Sequence, residues 1–350
     1  MSLLPHPALH ARVAVMRAIV RRSGPDESVA RAARLRPLVP EGIAARLDLR
    51  YDRGDGDAML DVFRPRETNT GTGMDTGTGM DTGMDTGMDT GTGMDTGTPR
   101  PVIVWVHGGG WIGGSRKEMR EYLQILAGHG YVTVGVDYAH APRRHHPHQA
   151  RQVAAAVAWL RDRAPELRID PQRFVLAGDS AGAQIAAQLA CAVTDPGYAA
   201  AIAVTPPIRA GQLRAAVLMC GAYDLVLAPR PGREQQIIDT VMYAYSGRRN
   251  YRDDPLFGYA SVLRWLTPAF PPAFITAGNG DALLPQSRRM AAALAGLGAD
   301  VDALFFDESP DRLDPHEYHL DLHTDAARQA LERTLAHLDR HTQPSSRPSQ

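Results

Sequence analysis

Gly178-Asp179-Ser180-Ala181-Gly182 is the segment best suited to chemistry. It follows the apolar run Phe174-Val175-Leu176-Ala177 and precedes a stretch rich in small residues. A serine on a sharp turn between a strand and a helix is lifted clear of the backbone, where its hydroxyl can act as a nucleophile. Glycines two positions to either side let strand and helix approach without clashing Cβ atoms. The bland alternative is a small-residue helix start with no chemistry. A second motif, His107-Gly108-Gly109-Gly110-Trp111, directly follows the apolar run Val102–Val106. Successive glycines leave backbone N–H groups unshielded, as the oxygen anion of a tetrahedral intermediate requires. A phosphate-binding loop would want Lys followed by Ser or Thr, which is absent here. Gly109 and Gly110 are the expected donors, with the N–H of Ala181 as a third. His107 precedes the donors and reads as structural.

A serine hydroxyl at neutral pH needs a base to take its proton. In this architecture the chain order is serine, acid, histidine. Asp281, after the late strand Ala273–Ala277, fits the acid; Asp302, Asp307 and Glu308 fit the order less well. The base belongs in the loop from Asp307 to Leu320, which holds His316 and His319. His316 is preferred, with His319 as the alternative. Trp111, Asp179 and the segment 225–268 are expected to shape the substrate pocket, with plain core packing the competing reading for Trp111. The remaining histidines, His145, His146, His148, His337 and His341, read as surface residues; His145-His146-Pro147-His148 has no helical ligand spacing and no obvious partner ligands, so no metal site is expected.

These residues need a scaffold, and the rest of the chain reads as one. Met59–Phe63 alternates, whereas Val102–Val106 is continuously apolar, as a strand buried on both faces would be. Strands are expected at Val132–Val136, Phe174–Ala177, Ala215–Met219, Ala273–Ala277 and Val301–Phe306. Helices are expected at Ala154–Arg163, Ala181–Val193 and Gln286–Leu297, the last closed by Gly298. A final helix carries Ala327, Leu331, Leu335 and Leu338 on one face. Such alternation predicts an α/β fold with a mostly parallel sheet covered on both faces. Residues 1–48 and 225–268 do not alternate. They are read as a helical N-terminal cap segment and a cap insertion on an α/β domain spanning 49–341. The Met-Asp-Thr-Gly repeats of 68–98 have no hydrophobic period and read as a disordered insert in a surface turn; 342–350 reads as a disordered tail.

Composition excludes several classes. The chain has 350 residues, 44% of them hydrophobic and 22% charged, with 38 basic against 39 acidic side chains. That is enough apolar chain for a sizeable core, and it lacks the basic excess of a nucleic-acid partner. Two cysteines cannot make a disulfide framework, which favours a reducing, cytoplasmic setting. No run reaches the roughly 18 apolar residues of a membrane span. Val13–Arg22 reads as an amphipathic helix, not a signal peptide, and allows at most a peripheral membrane contact. A homodimer is left open.

Taken together, His107-Gly108-Gly109-Gly110-Trp111, Asp137-Tyr138 with Pro142, Gly178–Gly182, Asp281 and His316 resemble the α/β-hydrolase superfamily. Within it they resemble the bacterial hormone-sensitive-lipase-like esterases, over about residues 50 to 340. The resemblance implies an α/β-hydrolase fold with a small helical cap formed by the N-terminus and an insertion. It implies hydrolysis of a small-molecule carboxylic ester by Ser180, His316 and Asp281 through an acyl-enzyme, without a cofactor. The low aromatic content, 6%, favours short or medium acyl chains. An amidase, aryl-formamidase or peptidase could use the same residues, and a non-catalytic binding protein is the reading from another class. The chain departs from the family pattern at Ala139–Arg143, at Ala183-Gln184 and at Glu317-Tyr318, where Gly-Phe is commoner after the histidine.

Overall fold

The structure is a computed structural model that describes residues 7–66, 97–226, 232–307 and 313–343. The expected insert over 68–98 falls outside these residues except for its last two positions, and the tail after Gln343 falls outside them as well. In chain order the first elements are α1 (Pro7–Leu35), β1 (Ile43–Arg50), β2 (Met59–Pro65), β3 (Arg100–Val106), α2 (Arg120–Gly128) and β4 (Val132–Val136). Next come α3 (His148–Asp162), α4 (Ala164–Leu167), β5 (Ile169–Asp179), α5 (Ala181–Thr194), α6 (Pro196–Ala201) and β6 (Leu213–Met219). The last are α7 (Arg233–Ser246), α8 (Pro255–Gly258), β7 (Ala273–Ala277), α9 (Leu284–Gly296), β8 (Val301–Phe305) and α10 (Asp325–Thr342).

The strands form one sheet in the order β1-β2-β4-β3-β5-β6-β7-β8. β1 and β2 pair antiparallel, as do β2 and β4, and every later pairing is parallel. The alternation of strand side chains divides the core in two. Val102, Val104 and Val106 of β3 join Phe174 and Leu176 of β5 on the face packed by α3 and α5. Ile103, Trp105, Val175 and Ala177 point to the other face, against α2 and α10. Burying a valine or leucine side chain contributes about 1.5–3 kcal/mol, so these double-sided strands fix the frame.

α5 sits deepest: residues 181–193 are all buried. Its run of alanines lets it lie close to the strands. α10 is amphipathic and capped by Thr324, whose side chain accepts from the Ala327 N–H at 3.2 Å.

Four local expectations change. The sheet begins at Ile43, ahead of the boundary expected at 49, because β1 is a largely exposed edge strand whose sequence carries no apolar run. α2 was not expected; it buries Tyr122, Leu123, Ile125, Leu126 and Ala127. α3 begins at His148, well before Ala154, because its first turns bury Gln149 and Gln152, polar residues that hide the hydrophobic period. His146 and His337, which read as surface residues, are buried at 6% and 0% exposure. The two segments outside the alternation meet: α1 packs against α7. Val13 and Met16 of α1 join Ala244 and Val241 of α7 around Ile112.

Candidate active site

Ser180 sits between β5 and α5 with φ 52° and ψ −119°, a backbone conformation that non-glycine residues rarely adopt. Its N–H donates to the Met219 carbonyl at 2.8 Å, which ties the turn to β6. The flanking glycines are required by space. A Cβ at Gly178 would begin 2.6 Å from the Val106 carbonyl oxygen, and one at Gly182 would collide with the same atom. The elbow is therefore wedged against the end of β3.

Two loops bring the partners. After β7, Gly278-Asn279-Gly280-Asp281 crosses under the segment that follows residue 313. Gly280 N–H donates to Asp314 O at 2.9 Å, and Asp314 N–H donates to Asn279 Oδ1 at 2.7 Å. A Cβ at Gly278 would meet the Pro315 carbonyl at 2.7 Å, so only glycine allows this approach. The result places His316 Nδ1 at 2.7 Å from Asp281 Oδ2 and His316 Nε2 at 2.9 Å from Ser180 Oγ. A carboxylate only accepts, so Nδ1 carries the proton and Nε2 is left to accept from the serine hydroxyl. Asp281 is buried and also accepts from the Leu283 N–H at 2.7 Å, which fixes the carboxylate. Burial disfavours a charged His316, but the Asp281 carboxylate beside it outweighs this and raises its pKa.

The alternatives lie elsewhere. His319, three residues on, is 1% exposed and packed among Trp105, Tyr122 and Tyr318. Burial lowers its pKa to about 3, so it is a neutral core residue. Asp302 is occupied by Arg333 and Arg340. Asp307 is exposed, and Glu308 lies outside the described residues.

The glycine loop lies on the other side of Ser180. Gly109 and Gly110 have φ of 106° and 59°. None of the N–H groups of Gly109, Gly110 and Ala181 donates to an acceptor among the described residues. The loop is held from behind. Asp179 accepts from Gly108 N–H at 2.8 Å through one oxygen and from the Trp105 indole N–H at 2.7 Å through the other. Tyr138 donates to the carbonyl of His107 at 3.2 Å and stacks on its ring. His107 is buried; desolvation opposes its charge, but Asp137 outweighs this and raises its pKa. Trp111 is 4% exposed, stacks on Tyr245 and donates to Gln184 Oε1 at 3.0 Å. It thus belongs to the hydrophobic core.

Two cavities border the loop. One, about 690 Å³, runs from Gly109, Gly110 and Ile112 between Val15 and Met16 of α1 and Ile237 and Val241 of α7. It brings part of the 225–268 segment to the site. The other, about 390 Å³, is lined by Gly108, Asp179 and Glu317 and by Arg31 of α1.

Sequence reading missed Arg31, Glu317 and Cys220. Cys220 follows the end of β6 in a left-handed conformation, φ 44°, and its position at a parallel strand's C-terminal end was the available signal. Its sulfur, a carboxylate oxygen of Asp281 and a ring nitrogen of His316 lie within 4.8 Å of one another. Burial pushes the Cys220 thiol up to about 11, against the thiolate a metal would need. His145, His146 and His148 engage Ala244, Gln188 and Asp55 separately. No helix among the described residues is long and apolar enough to cross a membrane.

Known proteins resemble this chain in sequence and fold. Residues 103–313 match the model of a family described as the alpha/beta hydrolase fold. Esterase LipQ of Mycobacterium tuberculosis is 31% identical over 205 residues, which are 57% of this chain and 47% of that protein. An acetyl esterase of Salmonella schwarzengrund is 27% identical over 200 residues, 55% of this chain and 58% of that protein. The chain spans about half the length of the curated relatives it matches. Among solved structures, an inhibited esterase B from Lactobacillus rhamnosis superposes with a TM-score of 0.72 at 21% identity, covering 93% of this chain and 97% of that one. At that identity the likeness speaks to the fold alone. The family match extends far beyond the two glycine motifs, over more than half of the chain, and so the chain belongs to the α/β-hydrolase family, on the hormone-sensitive-lipase-like branch that its motifs resemble.

Proposed function

We propose that this protein is a serine carboxylesterase acting on small esters with short to medium acyl chains. The observation that carries the reading is the line Asp281–His316–Ser180, with spacings of 2.7 and 2.9 Å, beside a glycine loop at Ser180, with the N–H groups of Gly109, Gly110 and Ala181 lacking an acceptor among the described residues. In the first step Ser180 Oγ attacks the ester carbonyl carbon while His316 Nε2 takes its proton. The carbonyl oxygen becomes an anion held by the N–H groups of Gly109, Gly110 and Ala181, each worth about 3–4 kcal/mol to the transition state. His316 then gives the proton to the leaving alkoxide oxygen as the carbon–oxygen bond breaks. Water, deprotonated by His316, attacks the acyl-enzyme and regenerates Ser180. Asp281 holds the imidazole in the working tautomer and stabilises its charged form.

The apolar groove between α1 and α7 starts at the two glycine donors and suits the acyl chain of an ester whose carbonyl oxygen they hold. α1 and α7 then serve as the cap. The names of the relatives, esterase and acetyl esterase, support the same reading. The test is a series of p-nitrophenyl esters of increasing acyl length against the protein and its Ser180→Ala variant, with a matched anilide beside each ester. Ester hydrolysis lost in the variant is expected, with esters far ahead of amides in kcat/KM. An undiminished rate in Ser180→Ala would overturn the mechanism, and faster amide cleavage would make the protein an amidase.

A further inference from the structure

We infer that Arg31 of α1 is a positioning residue for the catalytic centre, acting through Glu317 on the loop that carries His316. This rests on the assignment of Ser180, His316 and Asp281 above. The Arg31 guanidinium lies 3.4 Å from Glu317 Oε2 and 3.8 Å from Glu118 Oε2, and its side chain is only 15% exposed. Glu317 follows His316 directly and adopts a left-handed backbone, φ 59°. Such a conformation is strained for a non-glycine residue, so the site tolerates strain here that a glycine would relieve.

The Glu317 carboxylate is turned toward the oxyanion loop. A Cβ built on Gly108 would begin 2.8 Å from Glu317 Oε1 and 3.2 Å from Ser180 Cβ, with Asp179 Oδ2 closer still. Two carboxylates thus converge on Gly108. One anchors the loop through the Gly108 and Trp105 N–H groups; the other belongs to the residue beside the base. Like charges this close repel, and a cation in contact with one of them relieves them. Burial and the Glu317 charge together raise the pKa of Asp179 to about 7, while the Trp105 hydrogen bond, His107 and Arg31 work the other way. The remaining ionisable groups around the cavity are Glu27, Glu118 and His140. His107 is itself paired with Asp137 at 3.5 Å. Arg31 is therefore the cation that α1 contributes to this group.

Removing that charge leaves two outcomes. Either Asp179 takes up a proton at higher pH and loosens its hold on Gly108, or Glu317 swings away and carries His316 with it. Both disturb catalytic atoms and neither touches a short acyl chain in the apolar groove. The experiment measures kcat and KM for p-nitrophenyl acetate from about pH 5 to pH 9 in the full chain. The variants are Arg31→Met, Arg31→Lys, Glu317→Gln and the Arg31→Met/Glu317→Gln pair, with melting temperatures as the folding control.

Arg31→Met is expected to lower kcat about ten-fold with KM within about two-fold and to move the acid limb of the kcat profile to higher pH. Arg31→Lys should restore most of the rate. In the Glu317→Gln background, loss of Arg31 should change kcat by less than about two-fold. Glu317→Gln alone should move the limb to lower pH, and this arm decides if Arg31→Met does not fold. A wild-type profile in Arg31→Met overturns the inference. So does an equal loss with and without Glu317, or an unmoved limb in Glu317→Gln. Ser180→Ala in the same assay separates the two claims, since undiminished hydrolysis there would sink the triad itself.

Discussion

The elbow around Ser180 and the helix pair α1–α7 both border the Gly108–Gly110 loop, and they are built differently. The elbow is set by backbone sterics: Gly178 and Gly182 leave no room for a single extra carbon beside the end of β3. Every residue of α5 from 181 to 193 is buried behind it. The helix pair instead leaves apolar side chains in solvent, with Val15 60% and Ile237 48% exposed. On the proposed reading, the chemistry is held by a surface that cannot yield, and the substrate by one that can. Mutations should therefore divide by region: those at the elbow and its partners abolish turnover or folding for every substrate, and those on the helices redistribute preference among substrates.

The largest effect belongs to the nucleophile. Ser180→Ala should reduce kcat by about 10⁴–10⁶-fold for all acyl lengths alike, read by steady-state hydrolysis with a fluorophosphonate label absent from the variant. A chain-length-dependent loss would break the division. Asp281→Asn should cost about 10⁴-fold in kcat while leaving the melting temperature near that of the parent. It also carries a pH signature. His316 must be neutral to accept the Ser180 proton, and Asp281 raises its pKa, so the parent's activity should climb with pH through a value above that of an ordinary imidazole. Removing the carboxylate should move that limb to lower pH; a profile that does not move would place the controlling group elsewhere.

Gly182→Ala should destabilise the fold by about 1–3 kcal/mol, seen in denaturant unfolding, and remove activity, because the new carbon would displace β3 or the elbow. On the other side, Ile237→Ser should raise KM for a medium-chain ester by about ten-fold, close to 1.4 kcal/mol, with little change for the acetate. Equal effects on both esters would show that the groove does not hold the acyl chain.

The pattern of legibility follows the same divide. Strands such as Val102–Val106 and Phe174–Ala177 were readable because burial on both faces leaves an unbroken apolar run. β1 and α3 were partly hidden because the first is exposed along most of its length and the second buries glutamines in its opening turns. His316 and His319 lie three residues apart, and only their surroundings separate a histidine bonded to Asp281 from one enclosed by Trp105 and Tyr122.

The sequence by itself determined the tight turn at Ser180, the glycine loop and the alternating sheet that presents them. Each is a local matter of which residues permit a tight bend, an unshielded amide or a buried strand. Only the tertiary structure decided that a cysteine lies against the histidine, that α1 meets α7, and that Arg31 reaches a carboxylate 286 positions away. Such contacts arise from how elements distant in the chain pack on the finished sheet, and no spacing along the chain encodes them.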